Sequence, residues 1–166
     1  ATKQIVGTSS PDFYGGFGTN LQVKGFSLST NFAFSYGGQI YNSSRELYDA
    51  DGAYPTYNQQ VLEDEWSRWE EPGDNATHPK LVYGGNNLSN KVSSRYLEDG
   101  SYLRLRNVRA GYSLPQNFIS TFGLTNAEFY LSGDNLLTFT GYSGMDPEVG
   151  VDGYSGTLYP VSKKLI

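Results

Sequence analysis

Few side chains in this sequence have the type and spacing that chemistry demands. The single histidine, His78, precedes Pro79 in an acidic stretch. A metal site needs several converging ligands, and the sequence holds no second imidazole and no cysteine. Neither a metal nor a cofactor is expected. Asp49-Ala50-Asp51-Gly52 begins like a calcium loop but lacks the further acids and the closing glutamate, so it reads as a solvated turn. Glu63, Asp64 and Glu65 offer carboxylates of the kind that hydrolyse glycosides. Adjacent positions on a helix point different ways, however, and a charged face is the expectation there. No residue is assigned a catalytic role.

Recognition is better represented than reaction. Tyr48, Tyr54, Tyr57, Trp66, Trp69 and Tyr83 crowd into one long polar region. Aromatic faces stack on sugar rings while neighbouring carboxylates and amides orient hydroxyls. The alternative is that the same rings pack the loop or dock a partner lid. Asp99, Arg104 and Arg106 sit at the mouth of a strand, where they either line a lumen or pair with one another across neighbouring strands. The candidate substrate contacts are therefore Tyr54, Tyr57, Trp66, Trp69, Asp99 and Arg104.

The elements that must position these residues are strands. Fourteen Tyr, nine Phe and 20 Gly in 166 residues, with only 17% charged, suit β-structure with frequent turns. The net charge is −5, and between Asn42 and Asp99 eleven acids face five bases. With no basic stripe, a nucleic-acid partner is excluded. No apolar run approaches the roughly 18 residues of a membrane helix, but a membrane-spanning strand shows only alternate apolar residues.

That alternation is present. Phe13, Phe17, Leu21 and Val23 share one face over about 13–24. After Lys24-Gly25, the residues Phe26, Leu28, Phe32, Phe34, Tyr36 and Ile40 share a face over about 26–41, opposite serines, amides and alanine. Such a length exceeds that of ordinary globular strands, and the small polar face suits a wet lumen. Further strands are expected at about 101–113, 127–139 and 158–166. In the first of these, Leu103 and Leu105 have the opposite parity to Val108, Ala110 and Tyr112. A bulge near Arg106-Asn107 restores a single apolar face and keeps Arg104 away from lipid. Residues 42–100 and 140–157 read as long loops, with a helix from Asn58 to about Trp69. Short and long connections alternate, as they do in outer-membrane barrels.

The run Tyr96-Leu97-Glu98-Asp99-Gly100-Ser101-Tyr102-Leu103-Arg104-Leu105-Arg106-Asn107, with Gly111-Tyr112-Ser113-Leu114-Pro115, Ser132-Gly133-Asp134-Asn135-Leu136-Leu137-Thr138-Phe139 and Gly144-Met145-Asp146-Pro147-Glu148, resembles the C-terminal end of a SusC-type (SusC/RagA) TonB-dependent outer-membrane transporter. The resemblance implies an all-β fold in which these antiparallel strands form part of a barrel of about 22 strands. It implies a bacterial outer-membrane location and a SusD-like surface lipoprotein over the extracellular mouth. A TonB complex would act through a plug domain that this chain lacks, with an oligosaccharide or a peptide as cargo. The competing expectation is a secreted, soluble β-sandwich that binds carbohydrate. In a sandwich the apolar strand faces pack inside protein; in a barrel they face lipid.

Overall fold

The computed structural model describes residues 4–57, 61–62, 64–148, 154–155 and 160–166. In chain order its elements are β1 (Phe13–Val23), β2 (Phe26–Tyr36), β3 (Gln39–Asn42), α1 (Ser43–Tyr48), β4 (Leu97–Asp99), β5 (Tyr102–Ser113), α2 (Gln116–Ile119), β6 (Glu128–Thr140), β7 (Tyr154–Ser155) and β8 (Lys164–Leu165). Two sheets result: an antiparallel one in the order β1-β2-β5-β6-β8, and a small one in the order β4-β3-β7.

The β1–β2 hairpin closes through Lys24-Gly25, with φ of 48° and 89°. Two consecutive positive φ values give the tight turn whose twist matches the strands. Gly25 is required twice over, because a Cβ there would sit 2.9 Å from the Ser113 carbonyl oxygen and 3.1 Å from the Tyr112 ring.

Register then sorts the side chains. Phe17 lies opposite Phe32, Phe32 opposite Leu105, and Leu105 opposite Leu137; Leu21, Leu28, Ala110 and Leu131 form a second row. Against β2, Arg106 is one residue too many between Leu105 and Asn107, which is the bulge that the parity of β5 demands. Arg106 and Asn107 both fall on the polar side, so Leu105 and Val108 both stay on the apolar side. β6 compensates with two residues, Asn135 and Leu136, opposite the bulge, and Asn135 takes φ 52°. The result is one continuous apolar face across four strands. Its side chains stay open: Phe17 is 56% exposed, Leu21 53% and Phe129 70%. A sandwich would cover this face with a second sheet. None of the described residues does so, and the sandwich expectation falls.

The strand expected over 26–41 is two strands. Gly37 and Gly38 adopt φ of 74° and 78°, which ends the alternation at Tyr36 and turns the chain away from the large sheet. β3 therefore pairs with β4, not β5, and Ile40 is buried at 5% exposure instead of joining the apolar face. The helix is also displaced. The described residues between 61 and 69 are turn and extended chain, with Arg68 bridging to His78, whereas the helix forms at Ser43–Tyr48. There the Asn42 side chain accepts from the Arg45 amide at 3.2 Å and caps the first turn. Part of the strand expected at 158–166 lies outside the described residues; β8 pairs with β6 at Gly133 and Asp134.

Candidate functional site

The polar face of the large sheet carries small and amide side chains on β1 and β2, such as Gln22, Asn20, Ser29 and Asn31, and charge on β5 and β6. Arg104 projects from β5 on this side. Its neighbours across β2, Ala33 and Gly16, are small, which leaves room for the guanidinium. Arg104 is nonetheless 2% exposed, because the segment after β6 folds back over it. Its guanidinium donates to Asp146 and lies 3.1 Å from Glu148. Arg106 pairs with Glu148 as well. Asp146 also accepts from the backbone amides of Glu148 (2.9 Å) and Val161 (3.1 Å). Burial pushes the Asp146 carboxyl up, but the Arg104 bond and the two amides outweigh it and hold it below the usual carboxylate range. Near the β1–β2 turn, Arg109 pairs with Glu128 at 2.9 Å and lies over the Tyr130 ring at 4.3 Å.

The long loop has a core of its own, and that core is ionic. Asp49 and Asp51 are fully buried. Asp51 accepts from Ser89 (2.7 Å), Arg68 (3.0 Å) and Arg95 (2.5 Å). Asp49 takes a two-pronged contact from Arg45, whose other arm reaches Glu98 at 2.9 Å. Burial would raise the Asp51 carboxyl, yet the bonds from Arg95, Ser89 and Arg68 win and lower it. Glu98 follows the same balance, with Ser143 and Arg45 as donors. Tyr96, wholly buried, has its phenol pushed up to about 12 by desolvation. The expected solvated turn at Asp49–Gly52 is thus a buried anchor that two aspartates and three arginines build. His78 is buried beside it, its Nε2 3.6 Å from Asp49 Oδ1 and its Nδ1 2.9 Å from the Thr77 hydroxyl. Desolvation first, and the positive field of Arg95, Arg68 and Arg45 after it, lower its pKa despite Asp49. Among the described residues no group of His, Asp and Glu is arranged to hold a metal ion.

The six candidate contacts are not one constellation. Tyr54 and Tyr57 lie together, ring centroids 5.6 Å apart, with Lys91 above Tyr54 at 5.9 Å and Tyr57 well exposed. Trp66 is half-buried and its ring lies tilted against His78, centroids 5.0 Å apart, so it packs the loop core. Trp69 is 38% exposed, and its amide donates to the His78 carbonyl. Asp99 accepts from the Ser101 amide and hydroxyl and so fixes its own turn. Arg104 is committed to Asp146 and Glu148, and the pairing among Asp99, Arg104 and Arg106 does not occur. Sequence reasoning missed Asp146 and Glu148, although the signal was there: Arg104-Leu105-Arg106 and Asp146-Pro147-Glu148 present opposite charges at the same spacing of two.

No family model matches the chain. Three curated proteins of Formosa agariphila are similar to it: TonB-dependent receptor P3, 36% identical over 89% of this chain; P26, 30% identical over 92%; and P39, 29% identical over 99%. The chain spans only 14–16% of their lengths. Among solved structures, the RagAB peptide transporter superposes with TM-score 0.81 at 30% identity. The RagAB peptide importer in its closed-closed state gives 0.78 at 31%. Each superposition covers 98% of this chain and 17% of the other. These likenesses run nearly end to end and join the bulged apolar wall to the ion-paired loops: the chain belongs to the TonB-dependent receptors of the SusC/RagA type.

Proposed function

We propose that this chain is a stretch of barrel wall, with its loops, in an outer-membrane nutrient importer. The observation that carries the reading is the two-faced sheet: an open apolar face continuous over four strands, backed by a face of amides, hydroxyls and paired charges. From the Phe13–Tyr36 row to the row of Val23, Phe26, Tyr112 and Phe129 is ten residues of strand, or ~33 Å. A tilt of ~40° brings that to about 25 Å, the height of the lipid-facing band of such barrels. In this reading the wall belongs to the C-terminal part of a barrel of about 22 strands. Lys24-Gly25 and the 114–127 connection face the periplasm, and the long loop faces the medium. The rest of the full-length protein supplies the plug and its link to the TonB complex.

The loop would take part in cargo binding together with a SusD-like lipoprotein. Tyr54, Tyr57 and Trp69 are the candidate contacts that stay accessible; Trp66, Asp99 and Arg104 would act by holding the loops in shape. The structural relatives are peptide importers, which favours a peptide over an oligosaccharide as cargo. Nothing in this role calls for covalent chemistry.

The test is uptake by the bacterium that carries the full-length protein, with the gene deleted and then restored. Loss of labelled short-peptide uptake, with oligosaccharide uptake intact, is expected. Unchanged uptake of both would overturn the import reading. Co-purification of a lipoprotein in mild detergent checks the partner.

A further inference from the structure

The connection between β5 and β6 is unlike a water-facing turn. Over residues 114–127 it carries no charged side chain. It folds into α2 followed by a 3-10 turn, Ser120–Phe122, with Gly123 at φ 71° ending it. Ile119 is buried at 2% exposure and seats the element on the protein. Phe118 and Phe122, one helical turn apart, are 56% and 68% exposed, and their rings lie 5.6 Å apart. Leu124 is half-exposed beside them. The segment leaves β5 two residues after Tyr112 and enters β6 two residues before Phe129, and those two residues are paired in the last row of the apolar face. The uncharged turn therefore extends the rim of that face.

We propose that the 114–127 connection is a membrane-interface anchor, with Phe118 and Phe122 seated at the boundary between headgroups and acyl chains of the periplasmic leaflet. This rests on the sheet being barrel wall, as proposed for its function. Aromatic rings concentrate at that depth because their apolar bodies leave water while the adjoining backbone and amide groups stay wet. Gln116, Asn117, Ser120 and Thr121 provide the polar side of such a placement. A turn meant for water would carry charge, and one meant for the hydrocarbon would not carry three amides and three hydroxyls.

The test places single nitroxide labels at Phe118→Cys, Phe122→Cys and Leu137→Cys in the full-length transporter, reconstituted in phospholipid vesicles. Leu137 lies mid-way across the apolar face and reports on the wall itself. The expected result is oxygen accessibility several-fold above that of a water-soluble nickel chelate at 137, and a ratio at 118 and 122 intermediate between that and a water-exposed site. High nickel accessibility at 118 and 122 puts them in water and overturns the anchor. Low accessibility to both reagents means protein covers them, which also overturns it. If the Leu137 label fails to report lipid, the wall reading falls instead, and the anchor with it. Should a cysteine variant fold poorly, Phe118→Trp read with headgroup-brominated lipid makes the same distinction: quenching beyond the parent supports the anchor, and its absence overturns it.

Discussion

Arg104 and Asp146, 42 positions apart in sequence, form a buried ion pair on the polar face of the sheet, with Glu148 completing the contact. Removing one partner strands the other charge. Arg104→Met is expected to cost about 3–5 kcal/mol of local stability, whereas Arg104→Met with Asp146→Asn, which removes the stranded charge and keeps an acceptor for the Glu148 and Val161 amides, recovers part of it. Amide exchange over 141–148 in the full-length protein reads both. Equal loss in the single and double variants would show that the pair is not what holds this segment.

The two faces of β5 and β6 predict opposite tolerance. Leu137→Arg puts a charge mid-way across the apolar face and should cost about 2–4 kcal/mol. Asn107→Arg, on the polar face, should be nearly neutral. Denaturant titration of the protein refolded into vesicles compares them.

Asp51 lies under Arg68, Arg95 and Ser89 with no exposure of its own. Asp51→Asn leaves two guanidiniums facing a neutral amide and should loosen the long loop by on the order of 3 kcal/mol. Faster proteolytic nicking between 45 and 98, with strands β1 and β2 unaffected, is the expected readout.

His78 gives the loop a pH dependence. Its folded pKa is below the ordinary 6.5, so the unfolded loop binds the proton first. The neutral ring's contribution is intact above about 6.5 and is lost as pH falls from there towards the lowered folded value. Asp49, Arg45, Arg68, Arg95 and the Thr77 hydroxyl face the ring or set its field. Loop amide protection factors, in which the intrinsic slowing of exchange in acid is divided out, should fall as pH drops below about 6.5, and His78→Gln should flatten that step. The depressed Asp51 carboxyl adds its own loss only at far lower pH.

The sheet was legible because membrane-facing strands obey a period of two, and even the bulge at Arg106 announced itself through the change of parity between Leu105 and Val108. The break at Gly37-Gly38 was hidden, since Ile40 keeps the parity of Phe32 and Phe34 although the backbone has turned away. In the loop, Asp51 read as part of a solvated turn and Trp66 stayed divided between cargo contact and packing, because their partners, Arg68 and Arg95 for the first and His78 for the second, lie 12 to 44 positions distant. Charges that neutralise one another only through tertiary folding leave no periodic trace in a sequence.

The Gly38 carbonyl accepts from the Gly100 amide at 3.0 Å, and just inside it Gln39 lies opposite Asp99. This clasp closes residues 39–99 at their base between β2 and β5, while the β3–β7 pairing and the bonds that join Asn42 and Glu98 to Ser143 tie the same excursion to the segment after β6. The long loop and the segment after β6 are thus one cap with two roots in the wall. Chimaeras that keep β2 and β5 in register therefore have to move residues 39–99 together with the partners of Asn42 and Glu98 beyond β6.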